Sequence, residues 1–446
     1  MPENCTGVIE YIGPTFARGC CFRHVMFTWT ISGRISLPTF SRRSPTKASW
    51  KMPLGHNRHQ LSLEDILDFS QPLVLAPHES QAARTTFDRL IEHYHPEQTP
   101  QRGYKPVALV QTTFDHVSSK DAFLMLFFSF LYENLCKKSD NSSDITLYVR
   151  YFDDFASWGS DRLRNVKAAI EGFAEYIIEN FLLPLRASSV KTPQPTPSSL
   201  SPFDTSTAVS SRQRISTLRQ SCLVRDHHRC VISRKFDRRE AEKRFEQDGE
   251  DCKDDDGKLL RDESNDRFQF LEVAHILPHS LTAVSSGETD LSDSKKNALR
   301  ILNMFDHGIT HLIEYPKTDS PMNALTLTYD YHQLFGAFKI YFEPTGNPYQ
   351  YKIDSTEQRS FLRDPLFPVI RTLTLSPNRT IDPPSPRLLA VHRAIARIIH
   401  LSGAAEYIES ILRDIEEVSV REDGSTNLGQ IVKLRLGGWL DTLTVC

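Results

Sequence analysis

The stretches LEVAHILPHS (271–280) and NALTLTYDYHQLFGAFKIYFEP (323–344) decide how this chain is read. The first alternates as a strand. Phe270, Glu272, Ala274 and Ile276 point to one face, and Leu271, Val273, His275 and Leu277 to the other. The second places Asn323 nine residues before His332, with an apolar run between them and a helical pattern around the histidine. A strand histidine, then an asparagine, then a helix histidine are the parts of a small hydrolytic nuclease. One imidazole can deprotonate water near neutral pH, the amide can fix the geometry, and the second imidazole can hold a metal ion.

The rest of the composition limits the possibilities. A chain of 446 residues has room for two or three domains and a real hydrophobic core. A net charge of −3 means that any nucleic-acid surface is local, because phosphate contacts need clustered Lys and Arg rather than a basic average. The eight cysteines are scattered with no CxxC pair, which points to a reducing compartment and away from disulfide frameworks and zinc staples. The most apolar run, AFLMLFFSFLYENL (122–135), is too short for a membrane span and reads as a buried or interface helix starting at Ser118 or Ser119. The expected setting is intracellular, nucleus or cytoplasm ahead of mitochondrion, with no membrane partner.

Composition also divides the chain. Residues 11–63 hold no Asp or Glu but eight Lys or Arg, which suits a disordered extension, a phosphate-gripping arm or a transit segment; the first is preferred for 1–60. Residues 61–186 carry helical apolar spacing at 61–70, 79–95, 118–137 and 161–185, with 144–155 open between strand and helix. No catalytic constellation is visible there, so a packing or partner-binding domain is expected. Residues 187–212 have a Ser/Thr/Pro linker composition. The segment 213–345 forms the next domain, with a charged insertion at 236–268 whose Asp254–Asp256 run lacks calcium-loop spacing. Residues 346–446 are expected as a helical extension packing on that domain, with helices over 384–414 broken at Ser402–Gly403. The fold class is α+β, mainly helical.

RDHHRCVIS (225–233), LEVAHILP (271–278), ILNMFDHGI (301–309) and the 323–344 stretch together resemble the HNH nucleases, specifically their fungal branch, over about 213–345. The resemblance implies a ββα-metal core that hydrolyses phosphodiester bonds. It makes His275 the general base and His332 the metal ligand on the helix. Asn323 would pin the loop and orient His275, or contact the metal. The long gap from His275 to Asn323 implies an insertion across about 281–320.

One position departs from the pattern. Many HNH nucleases carry Asp or His just before the base, and here Ala274 stands there with no donor atom. Glu272, on the same strand face, could replace that ligand, with Asp306 and His307 as weaker candidates. The implied cofactor is one divalent ion, Mg²⁺ ahead of Mn²⁺, Ni²⁺ or Zn²⁺. The implied partner is nucleic acid, DNA ahead of RNA or a small phosphodiester. Arg225, Arg229, Arg234 and Lys235 are candidate phosphate contacts, set against the plain reading of a charged helix end. His279 forms H-x-x-x-H with His275, but Pro278 prevents the helix that would make it a zinc pair. The competing function is a binding or scaffold protein that keeps the fold without useful catalysis.

Overall fold

The computed structural model describes residues 73–95, 103–136, 144–189, 206–284, 291–314, 316–416 and 426–440. The expected basic extension, the helix at 61–70 and most of the linker lie outside them. The described part is an α+β protein, mainly helical, with small sheets.

The first half is a helical assembly. Helix α1 (Pro77–Tyr94) starts with Pro at its first position, and the Glu79 carboxylate accepts from the Ala76 backbone N–H just before it. Its buried face is Ala83, Phe87, Leu90, Ile91 and Tyr94. α2 (Pro106–His116) and α3 (Lys120–Cys136) follow. α3 is buried on all sides from Ala122 to Leu131, so its apolar run serves as the centre of the bundle. No helix among the described residues is long and apolar enough to cross a membrane. The ambiguous 144–155 segment forms helix α4 (Ile145–Arg150), capped by Asp144, whose carboxylate accepts from Thr146 N–H.

α5 (Ser160–Ile177) buries Val166, Ala169, Ile170, Phe173 and Ile177, the stripe read from the sequence. A π turn at Ile178–Leu182 then leads into α6 (Leu183–Ser189). Pro184 is the cause: it offers no N–H to the Asn180 carbonyl and its ring crowds that turn.

The second half carries the site. α7 (Ser206–Arg225) leads to β1 (Phe236–Asp237), α8 (Arg238–Asp248) and β2 (Phe268–Gln269). β1 and β2 pair in parallel and close the base of the charged insertion. α8 has no buried residue, as a solvated insertion should.

β3 (Leu271–His275) pairs antiparallel with β4 (Ala324–Thr328), with Leu271 opposite Thr328 and His275 opposite Ala324. Between these strands lie α9 (Asp293–Phe305) and α10 (Thr310–Ile313), the expected insertion. α11 (Tyr329–Gly336) follows β4 and packs back over the β3–β4 pair.

β5 (Ile340–Pro344), β6 (Gln350–Ser355) and β7 (Val369–Thr372) make an antiparallel meander. β6 and β7 fall inside 346–446, expected from the sequence as a helical extension, and correct that expectation for 350–372. Tyr351 and Ile353 are buried while Lys352 between them is exposed, a two-residue period that builds a strand. α12 (Pro386–Leu401) and α13 (Ala404–Glu416) then follow, broken where Gly403 takes φ +76°. α14 (Leu428–Leu436) ends the described chain, with Trp439 Nε1 donating to Ser294 Oγ on α9.

One continuous cluster of buried apolar side chains runs from the helices of 75–187 into β3, α9, β4, α11, β5 and α12. Phe181 stacks on Phe305 at 5.2 Å, and Ser118 and Ser119 N–H donate to the Met304 carbonyl. The helical half therefore packs directly against the element that spans the gap between the two site strands.

Candidate active site

β3 presents its two faces to different helices. Val273 packs with Leu218 and Cys222 of α7 and with Ala324. Ala274, Leu325 and Leu327 join the core that holds Tyr331 and Phe335 of α11. Strand alternation therefore sends His275 toward the α7 face and Glu272 toward the α11 face.

On the α7 face, His275 Nε2 lies 3.2 Å from Asp319 Oδ1 and donates to it. Asp319 Oδ2 is 3.7 Å from His279 Nε2 and 3.4 Å from Arg214 Nε of α7. The side chains of His275 and Asp319 are 2% and 1% exposed. Burial alone would raise the Asp319 carboxyl. The hydrogen bond from His275 and the nearby charges of His279 and His275 outweigh it, and hold the group below the usual carboxylate range. Burial lowers His279 below its ordinary value, with Asp319 partly opposing it and His275, Arg214 and Lys295 adding to the lowering.

The polar atoms around this carboxylate are unusually unsatisfied. Among the described residues, Nδ1 of both His275 and His279 is buried without a hydrogen-bond partner. So are the hydroxyls of Ser280, Thr282, Thr318 and Ser320, which flank His279 and Asp319 in sequence. Buried polar groups are nearly always paired, so such a concentration marks a place shaped for a polar ligand or water.

Asn323 holds the loop after His275. Its Oδ1 accepts from Leu277 N–H at 3.0 Å, and its Nδ2 donates to the carbonyls of Leu277 and Thr318, each at 3.0 Å. The Asn323 carbonyl accepts from Ile276 N–H at 2.8 Å. One buried amide thus locks the residues that follow His275 to the turn that carries Asp319.

On the α11 face, His332 Nδ1 donates to Glu272 Oε2 at 2.7 Å. The His332 side chain is buried and that of Glu272 is 24% exposed, so this pair opens toward solvent. Ala274 lies between Glu272 and His275 and offers no donor. Asp306 is committed elsewhere, in a two-pronged pair with Arg387 of α12 whose guanidinium also reaches the His307 carbonyl. An adjacent imidazole and carboxylate fit a hard divalent ion that takes its remaining ligands from water and phosphate. A closed all-protein cage is not formed: among the described residues, no group of three or more His, Cys, Asp or Glu is arranged to hold a metal ion.

The three arginines ahead of the core are used internally. Arg225 is wholly buried, pairs with Asp226 and donates to the carbonyls of Pro321, Ala324 and Asp382. Its reading as a phosphate contact is corrected: it ties the end of α7 to the start of β4. Arg229 pairs with Asp254 at 2.8 Å and Glu263 at 2.7 Å. Arg234 donates to the Thr372 carbonyl, and Lys235 is half-buried. The Asp254–Asp256 run is used internally as well: Asp254 pairs with Arg229, Asp255 with Arg244 and His228, and Asp256 with His227.

Asp319 and His279 are the two members of the site whose roles the sequence did not disclose. Asp319 sits in KTDSP, where an aspartate reads as an ordinary turn residue. His279 reaches the site through a short 3₁₀ turn, His279–Leu281, after Pro278, a route helical spacing does not reveal.

Residues 230–343 match the family model described as HNH endonuclease. No curated protein and no solved structure matches the chain. The segment that holds β3, β4, α11 and both carboxylate–imidazole pairs is thus an HNH endonuclease-type domain.

Proposed function

We propose that this domain hydrolyses phosphodiester bonds in nucleic acid, with DNA as the first substrate to test, and that His275 is the general base. The observation that carries this reading is the tautomer fixed by Asp319. With Nε2–H donated to the carboxylate, the lone pair resides on Nδ1, the nitrogen that lacks a partner. A water between Nδ1 and a phosphorus would lose its proton to that lone pair as it attacks. Asp319 would stabilise the imidazolium that forms, and Asn323 would keep the loop from drifting.

His332 and Glu272 would hold the divalent ion that HNH domains generally use, Mg²⁺ ahead of Mn²⁺, Ni²⁺ or Zn²⁺. That ion would neutralise charge on the phosphate oxygens. The ion would take the place of the proton that His332 Nδ1 shares with Glu272 Oε2, so that both groups face it. The 213–345 segment is then the catalytic module, and the helices of 61–186 and the elements after 345 support it.

Plasmid nicking with each of the four ions tests the reading, wild type against His275→Ala. Metal-dependent nicking that disappears in the variant supports it; nicking indifferent to the substitution removes His275 as base. The second reading, an HNH-fold binding or scaffold protein, is favoured by Ala274 and by the internal use of Arg225 and Arg229. The absence of cleavage with every ion on DNA and RNA would select it.

A further inference from the structure

Asp319 meets two imidazoles, and the proposed base is only one of them. His275 and His279 approach the same carboxylate from either side, Nε2 to Oδ1 at 3.2 Å and Nε2 to Oδ2 at 3.7 Å. Their rings are 6.2 Å apart. Each keeps Nδ1 directed away from Asp319, buried and without a partner. One carboxylate set between two imidazoles orients both rings from the same anion, the arrangement an acid–base pair needs.

We propose that His279 is a second catalytic residue, the proton donor to the leaving oxygen of the phosphodiester; this rests on the reading of His275 as base. Water attacks phosphorus and gives its proton to His275 Nδ1. The bond from phosphorus to the leaving oxygen breaks, its electron pair goes to that oxygen, and His279 Nδ1–H supplies the proton. His275 then releases its proton to solvent and His279 takes one up, so the cycle consumes only water.

Burial, His275, Arg214 of α7 and Lys295 of α9 disfavour protonated His279 in the free protein, and Asp319 favours it. A bound phosphodiester adds a second negative charge beside the ring, so substrate itself promotes the acid form. The Ser280 and Thr282 hydroxyls, one and three residues on, are buried without a partner and would serve as donors to the phosphate oxygens.

The test separates leaving groups that need a proton from one that does not. Full-length wild type, His279→Gln and His279→Ala are assayed on plasmid DNA and on bis(4-nitrophenyl) phosphate, whose nitrophenolate departs unprotonated, with circular dichroism to establish folding. Gln keeps an amide for Asp319 if Ala unfolds. A general acid contributes about 10²–10⁴-fold, so the variants should lose about that much on DNA and remain near wild type on the activated ester. Equal losses on both substrates, losses repaired by more metal ion, or no loss on DNA would overturn the role of His279. If His275→Ala keeps full activity on both substrates, the underlying reading fails instead, and the two failures are told apart by which variant is silent.

Discussion

The two carboxylate–imidazole pairs on either side of β3 look alike in composition and differ in setting. His275–Asp319 is closed: both side chains are almost wholly buried, and Asp319 also meets Arg214 and His279. His332–Glu272 is open on one side, through a partly exposed carboxylate. A buried pair fixes a tautomer and sharpens a proton transfer, because the low dielectric strengthens its interactions. A pair at the edge of the solvent can exchange water and admit an ion. On the proposed reading, burial separates a proton-transfer pair from a metal-binding pair on the two faces of one strand.

The comparison can be broken by substitution. His275→Ala should cost the most, about 10³-fold or more in plasmid nicking, with the fold retained on circular dichroism. Asp319→Asn should cost about 10²-fold in kcat with little change in metal requirement, since an amide has one acceptor oxygen and no charge and no longer dictates the His275 tautomer. An unchanged kcat in that variant would mean the closed pair has only a packing role.

Asn323→Ala should lower stability by about 2–4 kcal/mol in denaturant unfolding, because three side-chain hydrogen bonds are lost and their backbone partners stay buried. Glu272→Gln sharpens the other side. It should weaken metal affinity by about 10–100-fold in a metal titration of nicking, while activity at saturating ion stays near wild type.

The smallest effect is on pH dependence. The Asp319 carboxyl is depressed in the folded protein, so its contribution is present above the unfolded value of 3.8 and is lost as pH falls through the folded value. The acid limb of a stability–pH curve should therefore be shallower in Asp319→Asn than in wild type. An identical slope would show that Asp319 does not couple folding to protons.

Local pattern made much of this legible in the sequence. The alternation around His275 maps onto β3, and the helical spacing of 161–185 maps onto α5, the π turn and the start of α6, because each element buries one face. Asn323 was legible too, as an amide placed to pin a loop. Other parts depend on contacts distant in sequence. Asp319 meets His275 across a 44-residue separation, and nothing in KTDSP distinguishes a buried carboxylate from an exposed turn. Arg225 resembled a phosphate contact because its burial depends on Pro321, Ala324 and Asp382, which lie 96, 99 and 157 residues away. The strands β6 and β7 were missed because each is short and pairs only within the meander.

The division of labour is tested most directly by the metal-ion titration of plasmid nicking by His275→Ala. With His275 as base, the rate of the variant is reduced about 10³-fold at every metal concentration and the half-saturating concentration of the ion is unchanged. Activity restored by raising the ion, or a rate equal to wild type, would contradict it.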